Sequence, residues 1–180
     1  IPEFRRLWRF RRRDFMLGVI TLVGTVLIGI LQGVVLAIAL SFLEMLYRLA
    51  RPHEGVLGRV PGVPGMHDVA DYPDARTLPG CMFYRYDAPL FFANIDDLRE
   101  RVDKLIAMEN EAYPDSPVRW FVLNVEANVE IDITAADGLR ELARELAERG
   151  IHLGLARVKN DLYQPLERAG IIDVIGKEML

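Results

Sequence analysis

Trp120-Phe121-Val122-Leu123-Asn124-Val125 is a nearly continuous apolar run, closed off upstream by Pro114 and Pro117. It is short enough for a strand, and apolar side chains at successive positions are the mark of a central strand covered on both faces. Downstream, Leu139, Leu142 and Leu146 recur at helical spacing, which predicts a helix over residues 135–149 with Gly150 as its stop. Residues 151–158 read as a further strand. Leu162, Leu166 and Ala169 mark a helix ending at Gly170, and Ile171-Ile172 with Val174-Ile175 open a last element. Upstream, Cys81–Tyr86 reads as a strand continued by Leu90-Phe91-Phe92 beyond Pro89. Asn94 is placed to cap a helix that runs to about residue 110, with Ile95, Leu98, Val102, Leu105 and Ile106 on one face. Strands alternating with helices predict an α/β domain with a mostly parallel sheet and helices packed on it.

Between residues 51 and 80 stand Pro52, Pro61, Pro64, Pro73 and Pro79 with five glycines, a composition that excludes long helices. Leu57-Gly58-Arg59-Val60 is the candidate first edge strand there. Residues 51–80 are therefore expected to be a linker with the first strand, and residues 81–180 the domain core.

The N-terminal part is of another kind. Residues 15–43 contain no charge, a longer run than the roughly 20 apolar residues of a spanning helix. Arg5, Arg6, Arg9, Arg11, Arg12 and Arg13 precede it, and Arg48 and Arg51 follow it, so both ends read as cytoplasmic under the positive-inside rule. Two ends on one side require an even number of crossings. The expectation is a transmembrane helical hairpin over residues 15–50, turning near Gly29-Ile30-Leu31-Gln32-Gly33, with two short halves that need partner helices; one long tilted helix is the alternative. Residues 1–14, where arginines interleave with Leu7, Trp8 and Phe10, read as a basic amphipathic segment lying among lipid headgroups, with RNA binding as the competing explanation of the cluster. The chain opens on Ile1, without an initiator Met, and reads as an internal piece of a larger protein.

Charge separates the two parts. Residues 1–51 hold eight arginines against Glu3, Asp14 and Glu44, whereas most of the chain's 26 acids lie beyond, and the net charge is −4. An anionic second part with scattered bases argues against nucleic acid as a partner. Cys81 is the only cysteine, which excludes an intrachain disulfide and suits a reducing compartment.

Several stretches in order resemble the C-terminal end of the SulP (sulfate permease) family of anion transporters, whose last membrane helices run directly into a STAS domain. They are Arg12-Arg13-Asp14-Phe15, Arg51-Pro52-His53, Leu57-Gly58-Arg59-Val60-Pro61-Gly62, Pro73-Asp74-Ala75-Arg76, residues 84–94 and Ile131-Asp132-Ile133-Thr134-Ala135. The resemblance implies a multi-pass cell-membrane protein that carries an inorganic anion, often sulfate or bicarbonate, as a homodimer, with the STAS domain as a cytoplasmic module for a regulatory protein or a nucleotide. The earlier transmembrane helices would hold the anion, so no substrate-binding residue is assigned to this chain.

In the related anti-sigma factor antagonists a Ser of an Asp-Ser-Ser-Gly motif is phosphorylated, and Asp132-Ile133-Thr134-Ala135 falls on that motif. Thr134, with Asp132 before it, thus takes the candidate phosphosite position. The residues themselves suggest a simpler role: Thr134-Ala135-Ala136-Asp137 has the spacing of a capping box, Thr134 capping the helix and Asp137 reaching back. No phosphate-binding glycine loop, nucleophile–base pair or metal-ligand spacing of His53, His67, His152 and Cys81 is present. No catalytic residue, metal or cofactor is expected, and the reading is a transporter segment, not an enzyme. The alternative is a membrane-anchored STAS signalling protein switched by phosphorylation at Thr134.

Overall fold

The computed structural model describes residues 8–10 and 12–180. The chain divides into two units, residues 1–48 and residues 49–180. Of the expected basic segment over residues 1–14, positions 1–7 and 11 lie outside the described residues; residues 8–10 are helical, with Trp8 and Phe10 exposed.

In the first unit, α1 (Arg12–Ile28) is followed after one residue by α2 (Ile30–Ala50). Gly29 makes the break with φ of 103°, a conformation that favours glycine. Thr25 and Gly33 then face one another so closely that a Cβ on Gly33 would sit 2.5 Å from the Thr25 Cα, and at the far ends Asp14 pairs with Arg48 at 2.9 Å. The two helices are therefore antiparallel. Thr21 and Thr25 donate their hydroxyls to the carbonyls of Gly18 and Thr21, so these two side chains are satisfied within their own helix. At 21 residues α2 is about 31 Å long, and it is the one helix among the described residues that is long and apolar enough to cross a membrane. Two short halves were expected; α1, with Arg12, Arg13 and Asp14 in its first turn, does not qualify, and α2 exceeds the length assigned to it.

The second unit holds a five-stranded sheet of β1 (Glu54–Arg59), β2 (Met66–Asp68), β3 (Cys81–Tyr86), β4 (Trp120–Asn124) and β5 (His152–Ala156), in the order β2-β1-β3-β4-β5. β3, β4 and β5 are parallel, but β1 is antiparallel to both β2 and β3. The sheet is mixed, not mostly parallel. The cause lies in residues 60–80, which contain turns and β2 but no crossover helix, so β1 returns to the sheet as an antiparallel neighbour. β1 is also interior; β2, three residues long, forms the edge instead.

The helices are α3 (Ile95–Ala112), α4 (Ile133–Glu148), α5 (Asn160–Arg168) and α6 (Ile171–Ile175), with a short 3-10 turn at Lys177–Met179. Leu98, Val102 and Ile106 of α3 and Leu139, Leu142 and Leu146 of α4 join Tyr84, Phe121 and Leu123 in one core. Each such leucine, fully buried, stabilises the fold by about 1.5–3 kcal/mol. β4 is not covered equally on both faces as its apolar run suggests: Phe121 and Leu123 are buried, while Val122 is half-buried and Trp120 is exposed beside the His152 ring. On that second face the Met179 carbonyl lies over Gly154.

Candidate functional site

The C-terminal ends of the parallel strands, the loop that follows β3 and the first turn of α4 meet at one end of the sheet. Leu90 and Ile131 form a single parallel bridge, with Leu90 N–H donating to the Glu130 carbonyl and Asp132 N–H donating to the Leu90 carbonyl. The expected strand extension over Leu90-Phe91-Phe92 is thus reduced to one bridge. Two fully buried amides hold the surroundings. Asn94 accepts from Phe91 N–H at 2.9 Å and donates to the carbonyls of Pro89 and Leu49. Asn128 donates to the Ala88 carbonyl. Asn94 does stand before α3, yet its side chain makes no capping bond, because the 89–94 turn has already engaged it.

At α4 the cap is Asp132, not Thr134. One Asp132 oxygen accepts from Ala135 N–H at 2.8 Å, and the other accepts from Phe92 N–H at 2.9 Å. The helix begins at Ile133, so Thr134 is already inside it, and the expected Thr134–Asp137 capping box does not form. Asp137 instead pairs with Arg140 at 2.5 Å. Both Asp132 and Thr134 carry a cap-forming oxygen, and local propensity does not choose between them. Phe92 N–H, distant in sequence, makes the choice. Thr134 is exposed on the first helical turn, between exposed Ile133 and the buried pair Ala135 and Ala136, with Phe92 and Val129 exposed nearby in the chain's adjoining loops.

A second polar cluster was not anticipated. Arg101 donates to Glu54 at the start of β1 and, at 2.6 Å, to Asp97 one helical turn away; Tyr84 donates to Glu54, and Tyr86 donates to Asp97. Burial, followed by the charge of Asp97, pushes the Glu54 carboxyl above its ordinary range, while His53 pulls it down. Burial foremost, with Asp97 beside it, pushes the Tyr86 hydroxyl up as well. The only advance signal is the helical spacing of Asp97 and Arg101; their partners come from strands. Burial also pushes up the Cys81 thiol. His67 meets the Pro64 carbonyl and the Tyr72 ring, and His152 stacks on Trp120. Among the described residues no three His, Cys, Asp or Glu side chains converge as a metal site. The chemistry available is hydrogen bonding and ion pairing that joins strand, loop and helix.

Residues 72–179 match the STAS domain family profile. The chain belongs to the STAS domain family. It is also 49% identical over 178 residues to a probable sulfate transporter of Mycobacterium tuberculosis, an alignment that covers 99% of this chain and 31% of the relative. Probable sulfate transporter 4.2 of Arabidopsis thaliana is 36% identical over 176 residues, covering 96% of this chain and 26% of the plant protein. The STAS chain thus spans about a third or less of the curated relatives it matches. Those relatives are named as transporters, not as enzymes. Among solved structures, the murine Solute Carrier 26 family member A9 anion transporter in the inward-facing state shares the fold, with a TM-score of 0.84 at 19% identity over 97% of this chain and 27% of that one.

Proposed function

We propose that this chain is the C-terminal portion of a SulP-type secondary active anion transporter. Residues 15–50 form the last membrane hairpin of its gate, residues 1–14 lie at the interface, and residues 51–180 hang in the cytoplasm as a regulatory and interaction module. One observation carries the reading: an uncharged run long enough to span a membrane is joined through residues 51–53 to a STAS sheet, and that whole order is retained at 49% identity in a protein named as a sulfate transporter. The antiparallel packing of α1 and α2 supports the hairpin, since it puts the arginines at residues 12, 13 and 48 at the same end, as two cytoplasmic ends require. The fold shared with the murine transporter extends over nearly the whole chain and so includes these helices. The earlier membrane helices of the same protein, a second copy of it and an inorganic anion of the sulfate class are the implied partners. Radiolabelled sulfate uptake by the full-length protein, in a bacterial host lacking its own sulfate permeases, tests the proposal. Uptake that persists at a changed rate when residues 51–180 are deleted supports a transporter with a regulatory module. A full-length protein that is correctly inserted yet drives no uptake of any inorganic anion refutes it.

A further inference from the structure

We propose that the paired ends of α1 and α2 form a binding site for the phosphodiester headgroup of an anionic phospholipid, with Arg12 and Arg13 as the residues that hold it. The inference rests on the membrane reading above and adds a ligand to it. Arg12, Arg13, Asp14, Glu44 and Arg48 line an open cleft of about 380 Å³. Both of its carboxylates are engaged by Arg48, which pairs with Asp14 at 2.9 Å and with Glu44 at 2.8 Å. Among the described residues no ion pair holds Arg12 or Arg13. Each lies over an aromatic ring instead, Arg12 over Trp8 at 5.4 Å and Arg13 over Tyr47 at 5.7 Å. A cation–π contact fixes a guanidinium without neutralising it. Three arginines against two carboxylates leave the cleft one net positive charge, carried by two guanidinium groups that are positioned by rings and not by ion pairs, and an arginine fork matches the oxygens of a phosphate.

Position selects a lipid over a free anion. The cleft stands where the uncharged run begins, and Trp8 meets Phe15 edge-on at 5.0 Å, an arrangement suited to the headgroup level. Just beyond it Met16 and Ile20 are exposed, an apolar flank along which acyl chains can lie. Exposed arginines in water hold a free phosphate weakly because solvent screens the pair. A lipid is already concentrated in the plane of the membrane and buries its chains at the same time, which raises its effective concentration at the cleft.

The test uses the full chain with Trp120→Phe, which leaves Trp8 as its only tryptophan, reconstituted in phosphatidylcholine vesicles. Brominated phosphatidylglycerol should quench Trp8 at a mole fraction about tenfold lower than brominated phosphatidylcholine. Arg12→Gln and Arg13→Gln should each reduce that preference by about fivefold while the chain still floats with the vesicles. Arg9→Gln, outside the cleft, should leave most of it. Equal quenching by the two lipids overturns the site, as does an Arg9→Gln effect equal to that of Arg13→Gln, which would mean diffuse surface charge. Loss of the preference on adding inorganic phosphate at fixed ionic strength overturns the lipid assignment in favour of a free anion. Absence of quenching by either lipid, with no flotation, overturns the membrane reading itself.

Discussion

Asp132→Ala removes two hydrogen bonds that start α4 and tie it to the loop after β3. Loss of an N-cap acceptor costs about 0.5–2 kcal/mol, and the favourable charge at the helix start goes with it. Phe92 N–H, the second donor, is open to solvent and can rebind water, so its loss adds only about 0.5–1 kcal/mol. A total of about 1–3 kcal/mol is expected. Thr134→Ala, at an exposed position within the helix, should change stability by less than about 0.5 kcal/mol, since alanine is also the better helix former. Guanidinium unfolding of the chain in mild detergent, followed through Trp120 with Trp8→Phe as background, resolves the difference. With a slope of about 4 kcal/mol per molar for a domain of this size, Asp132→Ala should lower the midpoint by about 0.25–0.75 M. A silent Asp132→Ala beside a Thr134→Ala that costs more than about 1 kcal/mol would refute the assignment and return the cap to Thr134.

Glu54 is held above its ordinary range in the folded state, so the folded chain binds that proton more tightly than the unfolded chain does. Its contribution is present at low pH and lost as pH rises through the folded value; the stability of wild type relative to Glu54→Gln should fall as pH rises above the ordinary carboxylate range, and a relative stability that rises would contradict the shift. Gly138→Ala would drive a Cβ to 2.5 Å from Ile95 Cγ1, where α4 crosses α3. Thermal melts should show a loss of about 1–3 kcal/mol, relieved in part by Ile95→Val. Cysteine labelling at residues 9 and 51, with Cys81→Ser as background, should place both on the cytoplasmic side of cells, and opposite-side labelling would replace the helix pair with a single crossing.

Much of the fold could be read in advance because its elements announce themselves locally. The periodic apolar positions of α3 and α4, Leu98 with Val102 and Ile106, and Leu139 with Leu142 and Leu146, all enter the core. Gly150 and Gly170 adopt left-handed backbone at the helix ends where they were expected as stops. Strand direction was not legible in the same way. β2 is Met66-His67-Asp68, too short for any alternation to show, and the antiparallel course of β1 depends on the absence of a helix between it and β3. Proline and glycine content said that residues 51–80 hold no long helix; it did not say that the segment turns back into the sheet.

The candidate site was legible in its location but not in its bonds, and the difference has a single physical origin. Asp132, Thr134 and Asp137 stand within one short stretch, and each has an oxygen able to cap or counter-cap a helix, so local preference is nearly degenerate among them. The degeneracy is lifted by Phe92 N–H and by the Leu90–Ile131 bridge, partners some 40 residues away in the chain. Those partners are themselves fixed by Asn94, whose amide is spent on Phe91, Pro89 and Leu49 and so is withheld from the helix it precedes. At the start of α4 Asp132 accepts from Ala135 N–H and, through its other oxygen, from Phe92 N–H. The carboxylate thereby ties the helix to the 89–94 turn, so any charge added at Thr134 would act first on Asp132 and, through it, on that turn.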